Sequence, residues 1–180
     1  MINHITGEEM NEKRNVLVES ARIARGDIQS LDKFSAEDVD ALILPGGFGA
    51  AKNLTQWAFS GPDGDINAQV KEAIISMVKA GKPVAGLCMG PTVIAKALEG
   101  TGIGASLTVG TTEEASPYEI DAISQGMEKT GAKAIMKNIY EVAVDEKNKI
   151  VTAPCYMMEA DILQVRNNVQ KAVDELVKLV

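Results

Sequence analysis

The side chains best suited to covalent chemistry in this chain are its two cysteines, and Cys88 has the more telling neighbours. It stands in Gly81-Lys82-Pro83-Val84-Ala85-Gly86-Leu87-Cys88-Met89-Gly90-Pro91, which reads as a short buried strand turning sharply into a helix. A side chain at such a corner is pushed out of the sheet, and the backbone N–H groups after it point at whatever the side chain attacks. Gly86 and Gly90 let the backbone turn and approach closely, and Pro91 suits a first helical turn. The positive end of the helix dipole favours the thiolate, the attacking form. The competing reading is an inert packing cysteine, because cysteine is among the most buried residue types.

A second segment is expected at the same place. Pro45-Gly46-Gly47-Phe48-Gly49 follows an apolar run, and glycine N–H groups can come close to a ligand without side-chain obstruction. Gly46 and Gly47, with the N–H of Met89, make a candidate oxyanion-binding set beside Cys88. Glycines after a strand are also ordinary turn residues. His4, Asn53 and Glu113 are candidates for supporting the groups that touch substrate. Each has a plainer reading: His4 as an exposed histidine, Asn53 and Lys52 as helix-surface residues, Glu113 and Glu114 as a solvated acidic loop. Cys155 is either a packing cysteine or a resolving thiol within reach of Cys88. Trp57 and Phe59 read as packing under the loop at residues 60–64, or as an oligomer contact.

These groups need elements to position them. Residues 40–44 form a nearly continuous apolar run ended by Pro45-Gly46-Gly47, the pattern of a parallel strand buried on both faces. Helical spacing of Val16, Leu17, Ala21 and Ile23 predicts a first helix from about residue 11 to Gly26. Asp65 is expected to cap a helix carrying Ile66, Val70, Ile74 and Met77, and Ser116-Pro117-Tyr118-Glu119 reads as a capping box. Residues 107–109, 134–135, 140–145 and 150–152 are candidate strands, the last two joined by a hairpin turn at 146–149. A final helix from about Glu159 shows an apolar stripe of Ile162, Val165, Val169, Val173, Leu176 and Val180. Strands alternating with helices indicate a doubly wound α/β sandwich with a mainly parallel sheet, a hairpin near the C-terminus, and the site at the C-terminal ends of the strands.

The chain has 180 residues, a formal charge of −7, two cysteines and one histidine. That length suits a single domain over residues 1–180 with a core of its own. Net negative charge without a basic run argues against nucleic acid or an anionic membrane as partner and suits a small neutral substrate. No apolar run is long enough to span a bilayer, and residues 1–10 lack a signal-peptide pattern, so a cytoplasmic location is expected. Two widely spaced cysteines and a lone histidine suggest neither a disulfide framework nor a metal site, and no cofactor is expected.

The run Leu44-Pro45-Gly46-Gly47-Phe48-Gly49-Ala50-Ala51-Lys52-Asn53-Leu54, with the cysteine elbow, resembles the class I glutamine amidotransferase-like (ThiJ/PfpI) superfamily. Asn3-His4-Ile5-Thr6-Gly7-Glu8, Ala21-Arg22-Ile23-Ala24-Arg25-Gly26 and Asp145-Glu146-Lys147-Asn148-Lys149-Ile150-Val151-Thr152-Ala153-Pro154 are similar to its enhancing-lycopene-biosynthesis, or isoprenoid-biosynthesis glyoxalase, branch. The resemblance covers nearly the whole chain. It implies a flavodoxin-like fold, a homo-oligomer with a dimer favoured, and glutathione-independent conversion of glyoxal to glycolate by a thiol. Cys88 is then the implied nucleophile, and Gly46, Gly47 and Met89 the implied backbone donors. Superfamily members begin with an apolar strand and a helix whose approach carries an acidic partner of the cysteine. Neither is visible before Asn3, so the chain is expected to lack that first unit and to turn over poorly. A non-catalytic redox-responsive or regulatory role, with Cys88 oxidised without turnover, is the alternative. A glutaminase needs a histidine after the cysteine, and none follows His4. The protease-like branch places histidine directly after the nucleophile, where this chain has Met89.

Overall fold

The computed structural model describes residues 1–3 and 5–180, in two compact units, Met1–Phe34 and Ser35–Val180. In the first, an antiparallel bridge joins Ile2 to Glu9, and helix α1 spans Val16–Ala24. The helix starts five residues later than its apolar spacing suggests because Asn15 caps it: the Asn15 Oδ1 accepts the Val18 N–H at 3.1 Å. Arg25, with φ of +54°, ends it in the left-handed region.

The second unit is α/β. Strand β1 (Leu42–Leu44), helix α2 (Ala68–Lys79), strand β2 (Val84–Leu87) and helix α3 (Gly90–Leu98) come first. They are followed by β3 (Ser106–Leu107), α4 (Ile120–Lys129), β4 (Lys133–Ala134), β5 (Ala143–Asp145), β6 (Ile150–Ala153) and α5 (Ile162–Lys178). The main sheet has the order β1-β2-β6-β5, with β1, β2 and β6 parallel and β5 antiparallel to β6. This is the expected mainly parallel sheet, with its hairpin near the C-terminus. Its two faces are both covered, as parallel sheets require. Gly86 faces α3, where a Cβ would lie 2.8 Å from the Ile94 side chain. Ala85, Leu87, Val151 and Ala153 share a buried cluster with Val165, Ala172 and Leu176 of α5.

The candidate strand at 107–109 contributes Leu107 to a separate two-stranded parallel sheet of β3 and β4. Side chains hold it beside the hairpin. The Ser106 N–H donates to Asp145 Oδ2 at 2.8 Å and the Thr108 N–H to Thr152 Oγ1 at 2.9 Å, so carboxylate and hydroxyl stand where backbone carbonyls would otherwise continue a ladder. Burial acts to raise the Asp145 carboxyl pKa, but bonds from the Asn148 amide and the N–H groups of Ser106, Asn148 and Lys147 outweigh it and hold the pKa below the ordinary value. Stability from this group is therefore present above the unfolded carboxylate pKa of about 3.9 and lost as pH falls through the lower folded value. Asp145→Asn should cost about 1–3 kcal/mol at neutral pH and flatten the acid limb of the stability profile, which urea melts across pH will show.

Two helix starts differ from expectation. Asn67, not Asp65, caps α2, its Oδ1 accepting from the N–H groups of Gln69 and Val70 at 2.9 and 3.2 Å. Helix α4 begins at Ile120 with Glu119 as its cap residue and no side-chain cap bond. The Ser116 Oγ accepts the Tyr118 N–H at 3.0 Å and donates to the Met157 carbonyl at 2.6 Å, closing a turn ahead of the helix. A capping box does occur at α5, between Asp161 and Gln164.

Candidate active site

The cysteine corner is built as the sequence predicts. β2 is buried along its whole length, and the Cys88 N–H continues the ladder by donating to the Ala153 carbonyl at 3.0 Å. The chain then turns. Cys88 has φ of +55°, a left-handed conformation that costs an L-residue about 1–2 kcal/mol and survives only where the surroundings impose it. Met89 follows as the cap residue of α3, with Pro91 in its first turn. Packing enforces the corner from beneath, since a Cβ on Gly90 would lie 2.7 Å from the Leu44 carbonyl oxygen.

Gly46 brings the glycine loop onto this corner. A Cβ there would overlap the Leu87 carbonyl oxygen and lie 2.9 Å from the Met89 nitrogen and 3.1 Å from the Cys88 Cβ. Gly46 and Gly47 have φ of +83° and +79°, but a Cβ on Gly47 would meet nothing within 4 Å. Among the described residues, the N–H groups of Gly46, Gly47 and Met89 donate to no protein acceptor. Beyond the glycines, the chain enters a π-helical turn at Ala50–Leu54, a geometry that recurs at functional sites. Phe48 meets Tyr118 edge to face at 5.9 Å, and the Lys52 ammonium sits 5.4 Å above the Phe48 ring.

The remaining candidates are less closely tied to the thiol. His4 lies outside the described residues. Asn53 is exposed and lines a surface groove of about 340 Å³ with Lys52, Thr55, Gln56, Asp65 and Asn67, which contains no residue of the elbow. Glu113 is exposed, on a loop whose Ala115 carbonyl accepts the Glu159 N–H at 3.0 Å. Trp57 is buried as expected, whereas Phe59 is exposed. Cys88 and Cys155 are both free thiols. In the second unit Glu99, Glu141 and Glu175 are ion-paired with Lys96, Lys137 and Lys178. Among the described residues no cluster of histidine, cysteine and carboxylate side chains is arranged to hold a metal ion.

Asn168 is a residue of this region that apolar periodicity passes over. It is 2% exposed on α5, where the buried face runs Val165, Asn168, Ala172 and Leu176, while Ile162 and Val180 of the expected stripe point to solvent. Its Oδ1 accepts the Cys155 N–H at 2.9 Å and its Nδ2 donates to the Glu141 carbonyl at 2.7 Å. An amide at a core position of an amphipathic helix is the signal that would have found it. Asn168→Leu leaves both backbone groups unpartnered, and a loss of about 2–4 kcal/mol in chemical denaturation is expected.

Residues 27–163 match the DJ-1/PfpI family. The chain belongs to that family. It is 39% identical over 181 residues to the human mitochondrial glutamine amidotransferase-like class 1 domain-containing protein 3, covering 99% of this chain and 66% of that protein. The rat mitochondrial ES1 protein homolog is 38% identical with the same coverage. The chain thus spans just under two thirds of the length of these relatives. Among solved structures, an isoprenoid biosynthesis protein with an amidotransferase-like domain from Ehrlichia chaffeensis superposes with a TM-score of 0.84 at 27% identity, over 99% of this chain and 77% of that one. No helix among the described residues of this DJ-1/PfpI member is long and apolar enough to cross a membrane. Its human and rat relatives are mitochondrial by name, so the comparisons lend no support to a cytoplasmic location.

Proposed function

We propose that this DJ-1/PfpI chain carries a glutathione-independent glyoxalase site acting on small reactive carbonyls, with Cys88 as nucleophile. The supporting observation is the left-handed Cys88 corner with Gly46 packed against it. The N–H groups of Gly46, Gly47 and Met89 are there without protein acceptors. The thiolate adds to one aldehyde carbon of glyoxal, and these donors stabilise the oxyanion that forms. A proton then moves from the attacked carbon to its neighbour through an enediol, giving a thioester, and water releases glycolate and restores the thiol.

A redox-responsive, non-catalytic role is the second reading. The observation favouring it is that Cys88 is a free, partly exposed thiol. Glyoxal consumption with glycolate detection, comparing the chain with Cys88→Ser under reducing conditions, separates the two. Turnover that disappears in the variant supports the glyoxalase; equal rates in both reject it. The reading includes self-association through the exposed Ile162, Leu163 and Val177 of α5, which sedimentation of the chain would test.

A further inference from the structure

Cys155 lies beside the nucleophile yet has no part in the carbonyl chemistry. Leu87 and Ala153 are register partners on the adjacent parallel strands β2 and β6, so Cys88 is one residue and Cys155 two residues past a matched pair. Neighbouring strands run about 4.8 Å apart, so the two turns start side by side at the same edge of the sheet. Both residues are in the left-handed region, at φ of +55° and +50°, so each chain turns sharply just past the matched pair. Cys155 belongs to the buried cluster against which the Cys88 side chain packs. The two differ in access: Cys155 is 3% exposed, whereas Cys88 is half-buried and open to solvent.

We propose that Cys88 and Cys155 form a reversible redox pair, in which a hydroperoxide oxidises Cys88 and Cys155 resolves the product to an intramolecular disulfide. In the first step the Cys88 sulfur attacks the peroxide O–O bond, giving the sulfenic acid and releasing water or an alcohol. In the second, the Cys155 sulfur attacks the Cys88 sulfur; the S–O bond breaks, and the hydroxyl leaves as water with the Cys155 proton. The pair loses two electrons, and the peroxide is reduced. Burial pushes the Cys155 thiol up to about 12. Cys155 is thus kept protonated and shielded from oxidant while Cys88 takes the first hit. Bridging removes the nucleophile reversibly and protects it from over-oxidation.

This inference is independent of the carbonyl reading, because it is read by mass and thiol count. The reduced full chain is exposed to a small excess of hydrogen peroxide, blocked with a maleimide after unfolding, and weighed intact without reductant. The expected product is lighter by two hydrogens, has no alkylatable thiol, yields a Cys88–Cys155 linked peptide and is restored by dithiothreitol. In Cys155→Ala, with folding verified by circular dichroism, Cys88 should instead gain two or three oxygens and lose its recovery by dithiothreitol. Wild-type chain that gains two oxygens at Cys88 with Cys155 still alkylatable, or that forms only intermolecular disulfides, would overturn the proposal.

Discussion

Cys88→Ser should bring glyoxal loss down to that of buffer alone, a fall of about a hundredfold or more, or roughly 2.7 kcal/mol in the barrier. The hydroxyl fits the space of the thiol, so the corner and its donors stay in place. What disappears is the nucleophile: a serine alcohol is essentially un-ionised near neutral pH without a general base, whereas a thiol has an accessible thiolate. Thermal unfolding should move by no more than a few degrees, because the side chain is half-buried and the left-handed backbone remains. Activity lost with stability retained would place the effect in the chemistry. Retained turnover would remove Cys88 from the mechanism and the glyoxalase reading with it.

The second large effect belongs to Gly46. Alanine there must adopt φ of +83° with ψ of −138°, a region open almost only to glycine, while its Cβ collides with the Leu87 carbonyl and crowds Met89 and Cys88. Backbone oxygen cannot swing aside as a flexible side chain would, so the glycine loop or the elbow has to move. We expect Gly46→Ala to cost about 3–5 kcal/mol, lowering the melting temperature by roughly 10 °C, and to remove Cys88-dependent turnover in whatever fraction stays folded. Gly47→Ala is the matched control. It has a similar positive φ but open space around its Cβ, so only the conformational cost of about 1–2 kcal/mol applies. Equal losses in the two variants would show that contact between loop and elbow is not what matters.

Those predictions rest on features that differ in how plainly the residues announced them. The elbow could be read from Val84-Ala85-Gly86-Leu87-Cys88-Met89-Gly90-Pro91 because strand, corner and helix start are all local and each has a residue signature. The hairpin of β5 and β6 was legible for the same reason. Capping was less so: Asp65 and Ser116 have suitable side chains, but Ser116 accepts from Tyr118 in a turn ahead of the helix and donates to Met157, forty-one residues away. Separation of β3 and β4 into their own small sheet depends on Asp145 and Thr152, whose role as substitutes for backbone acceptors has no local signature.

Sequence alone determined the α/β class, the nucleophile candidate and the glycine loop expected to serve it, because strand burial, turn chemistry and helix starts are short-range properties of neighbouring residues. Only the tertiary structure decided that a side chain at Gly46 would collide with backbone while one at Gly47 would meet open space, that Asn168 anchors the Cys155 turn, and that Cys88 packs against the buried cluster containing Cys155. Each of those facts is a contact between segments distant along the chain, made when parallel strands set their ends side by side. Distances of that kind follow from register and packing, which no single stretch of residues contains.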